Sequence, residues 1–139
     1  MPFLVDGNNV LGADRLSDDA RRALVTRIAA FARARRTRVT LVFDGPEPSN
    51  FAKHLGAVSI AFSGTRSADD VIAERAANGR GWSVVTSDRG LTARVARREV
   101  TIVAPSTFLR DLEAAAAVEP DTRGDWESFF ADEKNRLKF

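Results

Sequence analysis

The sequence has no cysteine and a single histidine, His54, in 139 residues. Without thiols there can be no disulfide, thiolate nucleophile, iron–sulfur cluster or cysteine-ligated zinc, and one imidazole excludes any mechanism that needs two. Long apolar runs are missing too. No stretch approaches the roughly 18 residues that a membrane span requires, and Phe3-Leu4-Val5-Asp6 follows the start with no basic flank and no extended apolar segment. The expected compartment is therefore the cytoplasm, with no membrane partner. Several phosphate and hydrolase signatures are also absent. There is no Gly-x-x-x-x-Gly-Lys loop, no Gly-x-Gly-x-x-Gly after a strand and no Gly-x-Ser-x-Gly elbow, which argues against a P-loop nucleotidase, a dinucleotide enzyme and a serine hydrolase. What remains for chemistry is carboxylate, hydroxyl, amide and guanidinium.

Hydrophobic residues make up 44% and charged residues 29%, so the composition is that of an ordinary globular domain with a core of its own. The net charge of +2 conceals a division. Residues 1–110 carry 17 basic and 11 acidic side chains, a balance of +6, whereas residues 111–139 carry four basic and eight acidic, a balance of −4. Between Arg21 and Arg38 there are seven arginines and no acid, a candidate polyanion-facing surface or a solvated helix face. Leu24, Ile28 and Phe31 share one stripe of a helix there, which places Arg22, Arg33 and Arg36 on the outward side.

Short β-branched runs at 3–6, 39–44, 57–62, 82–86 and 100–103 alternate with helix-period segments at about 18–35, 67–78, 89–98 and 106–117. That rhythm predicts an α/β domain with a mostly parallel sheet of about five strands and helices on its faces, over residues 1–117. Residues 118–139 form an acidic, aromatic appendage. Trp126, Phe129 and Phe130 sit at i, i+3, i+4 spacing, which predicts a short amphipathic helix that caps the body or docks a partner.

Acidic residues recur at one structural place. Asp6 ends the first strand, Asp44 ends the second, Asp69 and Asp70 open a helix, and Asp88 follows the fourth strand. In an open parallel sheet, strand C-termini and helix N-termini share the edge where ligands bind, so these carboxylates should converge there. Several carboxylates in one crevice repel one another unless a cation neutralises them, and oxygen ligands without His or Cys select Mg²⁺ or Mn²⁺. Such a site performs metal-assisted phosphoryl transfer. Each acid also has a plainer reading: Ser67-x-x-Asp70 fits a capping box, Asp88 fits a helix N-cap, and Asp44-Gly45-Pro46 fits a turn. With Ala68, Ile72 and Ala76 buried, Asp69 flanks the stripe and Asp70 points away, so Asp69 is the better ligand. Asp6-Gly7-Asn8-Asn9 is poor strand or helix material and the hardest to read as structural. Asn9 would orient a water or reach a phosphate. His54, alone in a loop, reads as a surface residue.

Val5-Asp6-Gly7-Asn8-Asn9-Val10, Phe43-Asp44-Gly45, Ser67-Ala68-Asp69 with Ile72 and Glu74-Arg75, and Thr86-Ser87-Asp88 together resemble the NYN domain family, in its YacP-like branch of the PIN-like nucleases, over about residues 3–110. The resemblance implies a three-layer α/β/α PIN-like fold, a divalent-metal-dependent endoribonuclease, and a role in RNA processing or decay, on ribosomes in one version. It assigns the catalytic and metal positions to Asp6, Asp69 and Asp88, with Asn9 in support and Asp44 and Asp70 as secondary candidates. Cleavage would leave a 5′-phosphate and a 3′-hydroxyl, with single-stranded or loop RNA as the expected substrate. Arg66, Arg89 and Arg94 flank the acidic edge and, with Arg22, Arg33 and Arg36, are the candidate phosphate contacts. Two alternatives stand beside this: an RNA-binding or ribosome-associated module with a weak or lost metal site, and a toxin-type PIN nuclease, against which the Asp-Gly-Asn-Asn motif argues. The aromatic, acidic end departs from the basic tail expected of this branch.

Overall fold

A computed structural model describes residues 2–96 and 99–118. Six strands and five helices follow in the order β1 (Phe3–Asp6), α1 (Gly7–Leu11), α2 (Asp18–Arg35), β2 (Val39–Phe43), β3 (His54–Leu55), β4 (Val58–Phe62), α3 (Ala68–Ala77), β5 (Ser83–Val85), α4 (Arg89–Val95), β6 (Thr101–Val103) and α5 (Pro105–Val118). One sheet holds all six strands in the order β3-β4-β2-β1-β5-β6, parallel throughout except that β3 runs antiparallel to β4. Every strand and helix expected over residues 1–117 is present, and the sheet gains one strand. The expected appendage, with Trp126, Phe129 and Phe130, lies outside the described residues.

Alternation along the central strand sets the three layers. Val5, beside Leu41 and Val85, faces the core shared with Leu24, Ile28 and Phe31 of α2 and Phe108 and Leu112 of α5. Leu4, beside Val84, faces the opposite core, built with Ala68 and Ile72 of α3 and Leu91 and Val95 of α4. An edge-to-face cluster closes the first core: the rings of Phe3 and Phe31 lie 5.1 Å apart, as do those of Phe31 and Phe108. Burying each such ring stabilises the fold by about 1.5–3 kcal/mol. The expected stripe Leu24, Ile28, Phe31 is the buried side of α2, and the stripe Ala68, Ile72, Ala76 is the buried side of α3.

Helix starts follow their sequence signals. Ser17 and Ser67 cap α2 and α3, each hydroxyl accepting from a backbone N–H three residues on, Ala20 and Asp70 respectively. Two elements differ from expectation. Gly7–Leu11, read as unsuited to helix, forms α1, with Asp6 as its N-cap and Gly12 at φ 67° as its left-handed end. His54, expected in a loop, sits exposed in the two-residue β3, which a tight turn at Gly56 (φ 58°) folds back on β4. No helix among the described residues is long and apolar enough to cross a membrane.

Candidate metal centre

Four turns meet at the C-terminal edge of the sheet, and each carries a carboxylate. Asp6, Asp44, Asp69 and Asp88, together with Asn8, Asn9 and Ser67, line one cavity of about 230 Å³. A backbone N–H holds three of the four acids through a single oxygen. Asp6 Oδ1 accepts from Asn9 N–H at 3.3 Å, Asp44 Oδ1 from Ala68 N–H at 2.7 Å, and Asp88 Oδ1 from Leu91 N–H at 2.8 Å. In each case only Oδ1 is engaged by that backbone bond. Asp44 proves more than a turn residue, since its bond to Ala68 ties the end of β2 to the start of α3.

The acids disturb one another. Burial, with Asp69, Asp44 and Asp88 nearby, pushes the Asp6 carboxyl up to about 6 against the opposing bond from Asn9. Asp69 is also raised, by burial and then by the charges of Asp88 and Asp44, with Arg94 pulling the other way. Carboxylates that destabilise each other's charge call for a cation. Among the described residues, however, no group of three His, Cys, Asp or Glu side chains is arranged to hold a metal ion.

Two amides brace these acids. Asn9 Oδ1 accepts from the Ser87 N–H at 2.8 Å and the Ser87 hydroxyl at 3.0 Å, joining α1 to the β5–α4 turn that carries Asp88. Asn8, which sequence reasoning did not single out, is buried. Its amide donates to the carbonyls of Ala13 and Asp14, and its Oδ1 accepts from Asp44 N–H at 3.0 Å. The signal was present in the doubled amide of Asp-Gly-Asn-Asn, but only a helix at that point makes Asn8 face inward. Gly7 completes the motif for steric reasons, because a Cβ there would lie 2.6 Å from two carbons of the Phe43 ring.

The remaining candidates separate. Asp70 lies outside the cavity lining and pairs with Arg94 at 2.9 Å, which lowers its carboxyl below the usual range. Arg66 pairs with Glu74 at 2.8 Å, and Arg89 is the exposed first residue of α4, beside Asp88. Arg66, Arg89 and Arg94 thus stay on the elements that open at the acidic edge. Arg22, Arg33 and Arg36 do not join them. Arg22 is half-buried with its guanidinium 5.2 Å from the Phe51 ring centre, a packing role that the outward placement had not anticipated. Its neighbour Arg21 sits over Phe62 and bonds Asp18. Arg33 and Arg36 belong to the far end of α2, beside the start of β2 and on the opposite edge of the sheet.

Comparison with known proteins agrees with this architecture. The family model described as the YacP-like NYN domain matches residues 3–135. The crystal structure of Rae1 (YacP) from Bacillus subtilis is similar with a TM-score of 0.69 at 21% identity, covering 99% of this chain and 91% of that one. A crystal structure of a point mutant of the same protein is similar with a TM-score of 0.69 at 24% identity, over 84% and 77% of the two chains. At these identities the likeness is one of fold. No curated protein matches the chain.

Proposed function

The chain belongs to the YacP-like NYN domain family, and on that premise we propose that it is a divalent-metal-dependent endoribonuclease of RNA processing or decay, acting in the cytoplasm and in association with ribosomes. The observation that supports it best is the buried Asp6, raised to about 6 in a cavity it shares with Asp44, Asp69 and Asp88. The donor set is entirely oxygen, which fits Mg²⁺ or Mn²⁺. When bound, the cation supplies Lewis acidity to a water nucleophile and to the phosphate oxygens.

In this reading Asp6, Asp69 and Asp88 hold the cation, and Asp44 fixes the α3 side of the cavity. Asn9 orients Asp88 through Ser87 and offers its amide N–H groups to a phosphate or water. Arg94, held by Asp70, and Arg66 and Arg89 contact flanking phosphates. A crevice of this size admits the backbone of an exposed strand, which favours single-stranded or loop RNA. Products carry a 5′-phosphate and a 3′-hydroxyl.

That no three acidic or imidazole groups among the described residues are set to hold a metal ion favours one second reading, an RNA-binding module whose metal site is weak. Asp6→Asn separates the two. It keeps a side-chain acceptor for the Asn9 N–H and removes one ligand charge. In a nuclease it abolishes Mn²⁺-dependent RNA cleavage and leaves RNA binding largely intact. Wild-type protein that binds RNA yet cleaves neither structured nor single-stranded RNA with Mn²⁺ favours the binding module instead.

A further inference from the structure

A second cavity, larger than the acidic one, lies apart from it. It lies at the opposite edge of the sheet, encloses about 830 Å³, and includes Arg33, Arg36, Arg38, Thr40, Ser59 and Trp82 in its wall. Among the described residues no acidic side chain lines it. Three elements build it. The end of α2 and the turn into β2 supply the arginines, and Arg36 is fixed in the left-handed conformation at φ 52°, where its N–H closes the helix on Ala32 and Arg33. The paired positions Thr40 and Ser59 of β2 and β4 supply hydroxyls. Trp82, just before β5, supplies an aromatic wall packed close to Gly79, where a Cβ would collide with the indole Nε1. Arg36 and Arg38 are exposed, whereas Trp82 is half-buried.

Exposed guanidinium groups beside a fixed indole and hydroxyls are the chemistry that recognises a phosphate carrying a base. β1 runs between the two sites, from Pro2 at the basic cavity to Asp6 at the acidic one. At about 3.3 Å per residue, that is a separation of roughly 13 Å. No single phosphate can therefore touch both. Resting on RNA as the substrate of the acidic site, we infer that Arg36, Arg38 and Trp82 form a second RNA-binding site that grips the chain away from the point of cleavage. Long RNA binds more tightly than short RNA because it alone reaches both edges.

The test measures binding of a long oligouridylate in EDTA across a salt series, for wild type, for Arg36→Glu with Arg38→Glu, and for a charge-matched control, Arg75→Glu with Arg110→Glu. Circular dichroism melting verifies that each variant folds, and Arg36→Gln with Arg38→Gln gives a milder version. Loss of two phosphate contacts lowers the slope of log K against log salt by about 1.4, at about 0.7 per contact on a single strand. The expected result is that decrease together with at least a tenfold weaker Kd in the first pair, and a smaller change in the control. Unchanged Kd and slope, or an equal loss in the control, overturns the proposal. Uridine monophosphate as competitor separates a chain-binding site from one for free nucleotides. Displacement only at large excess supports the chain, and displacement at equimolar amounts overturns it. The nuclease reading fails separately: wild-type protein that does not cleave, but whose RNA binding still weakens on Arg36 and Arg38 reversal, leaves this site standing.

Discussion

Asn9 and Ser87 are 78 positions apart in the chain and share two hydrogen bonds, both accepted by the same Asn9 oxygen. Through them α1, whose N-cap is Asp6, is joined to the turn that carries Asp88. The spacing between those two carboxylates therefore depends on the Asn9 side chain. Asn9→Ala should weaken Mn²⁺ binding and cleavage by about 10–100-fold, the effect usual for groups that orient ligands, while costing about 1–2 kcal/mol of stability. Mn²⁺ titration by calorimetry alongside denaturant unfolding checks it. Equal metal affinity in the variant would leave Asn9 a structural residue only.

Asp6 makes the metal-free protein sensitive to pH. Its carboxyl is raised from 3.8 to about 6 by folding, so the folded state favours the protonated form. Stability from this group is full below about pH 3.8 and is lost as pH rises through about 6. The shift corresponds to about 3 kcal/mol. Asp6→Asn removes the ionisation and retains the cap acceptor. In EDTA the variant should gain on wild type by about 2–3 kcal/mol between pH 4 and pH 7.5, read from urea unfolding. Added Mn²⁺ should raise the wild-type melting temperature at pH 7.5 and leave the variant nearly unmoved. A wild-type-to-variant gap that does not change with pH contradicts the assignment.

Asn8 offers a purely structural counterpart. Truncation to alanine leaves the Asp44 N–H and two carbonyls without their side-chain partner. At one to three kcal/mol for each group left without a bond, partly relieved by water, Asn8→Ala should cost about 2–4 kcal/mol. Gly7→Ala should cost about 1–3 kcal/mol, because the Phe43 ring beneath it is fully buried and cannot retreat. Chemical denaturation of both variants gives the comparison. A neutral Gly7→Ala would mean that the ring shifts freely.

The strands and long helices were legible because their signals are local. The short apolar runs Phe3–Asp6 and Val39–Phe43, the serine caps of α2 and α3, and the stripe through Ala68, Ile72 and Ala76 are each written within a few consecutive residues. The parallel arrangement then follows, and with it the shared edge for Asp6, Asp44, Asp69 and Asp88. The failures are equally physical. α1 has five residues, too few for a period to show, and is held by Asp6, Asn8 and Gly12 rather than by propensity. β3 exists only as a partner for β4. Arg22 and Arg21 looked like surface charge because sequence cannot show that Phe51 and Phe62 come to lie beneath them. Arg33 and Arg36 were candidates for phosphate contact by charge alone, and because α2 runs antiparallel to its strands they lie at the edge opposite the acids.

The pair Asp69 and Asp70 gives the sharpest discrimination among the acids, since they are adjacent and differ only in direction. Asp69 lines the cavity and is raised by the charges of Asp88 and Asp44; Asp70 is outside it, bonded to Arg94 and lowered. Asp69→Asn should reduce Mn²⁺-dependent cleavage by 100-fold or more, on the order expected when a metal ligand that stabilises transition-state charge is lost. Asp70→Asn should leave kcat within about threefold. It releases Arg94 from a charged partner, so its effect should appear in RNA affinity and its salt dependence rather than in the chemical step. Single-turnover cleavage at saturating protein isolates that step. Equal loss in the two variants would place both acids at the metal, and the direction of the α3 stripe would then have misassigned the ligand.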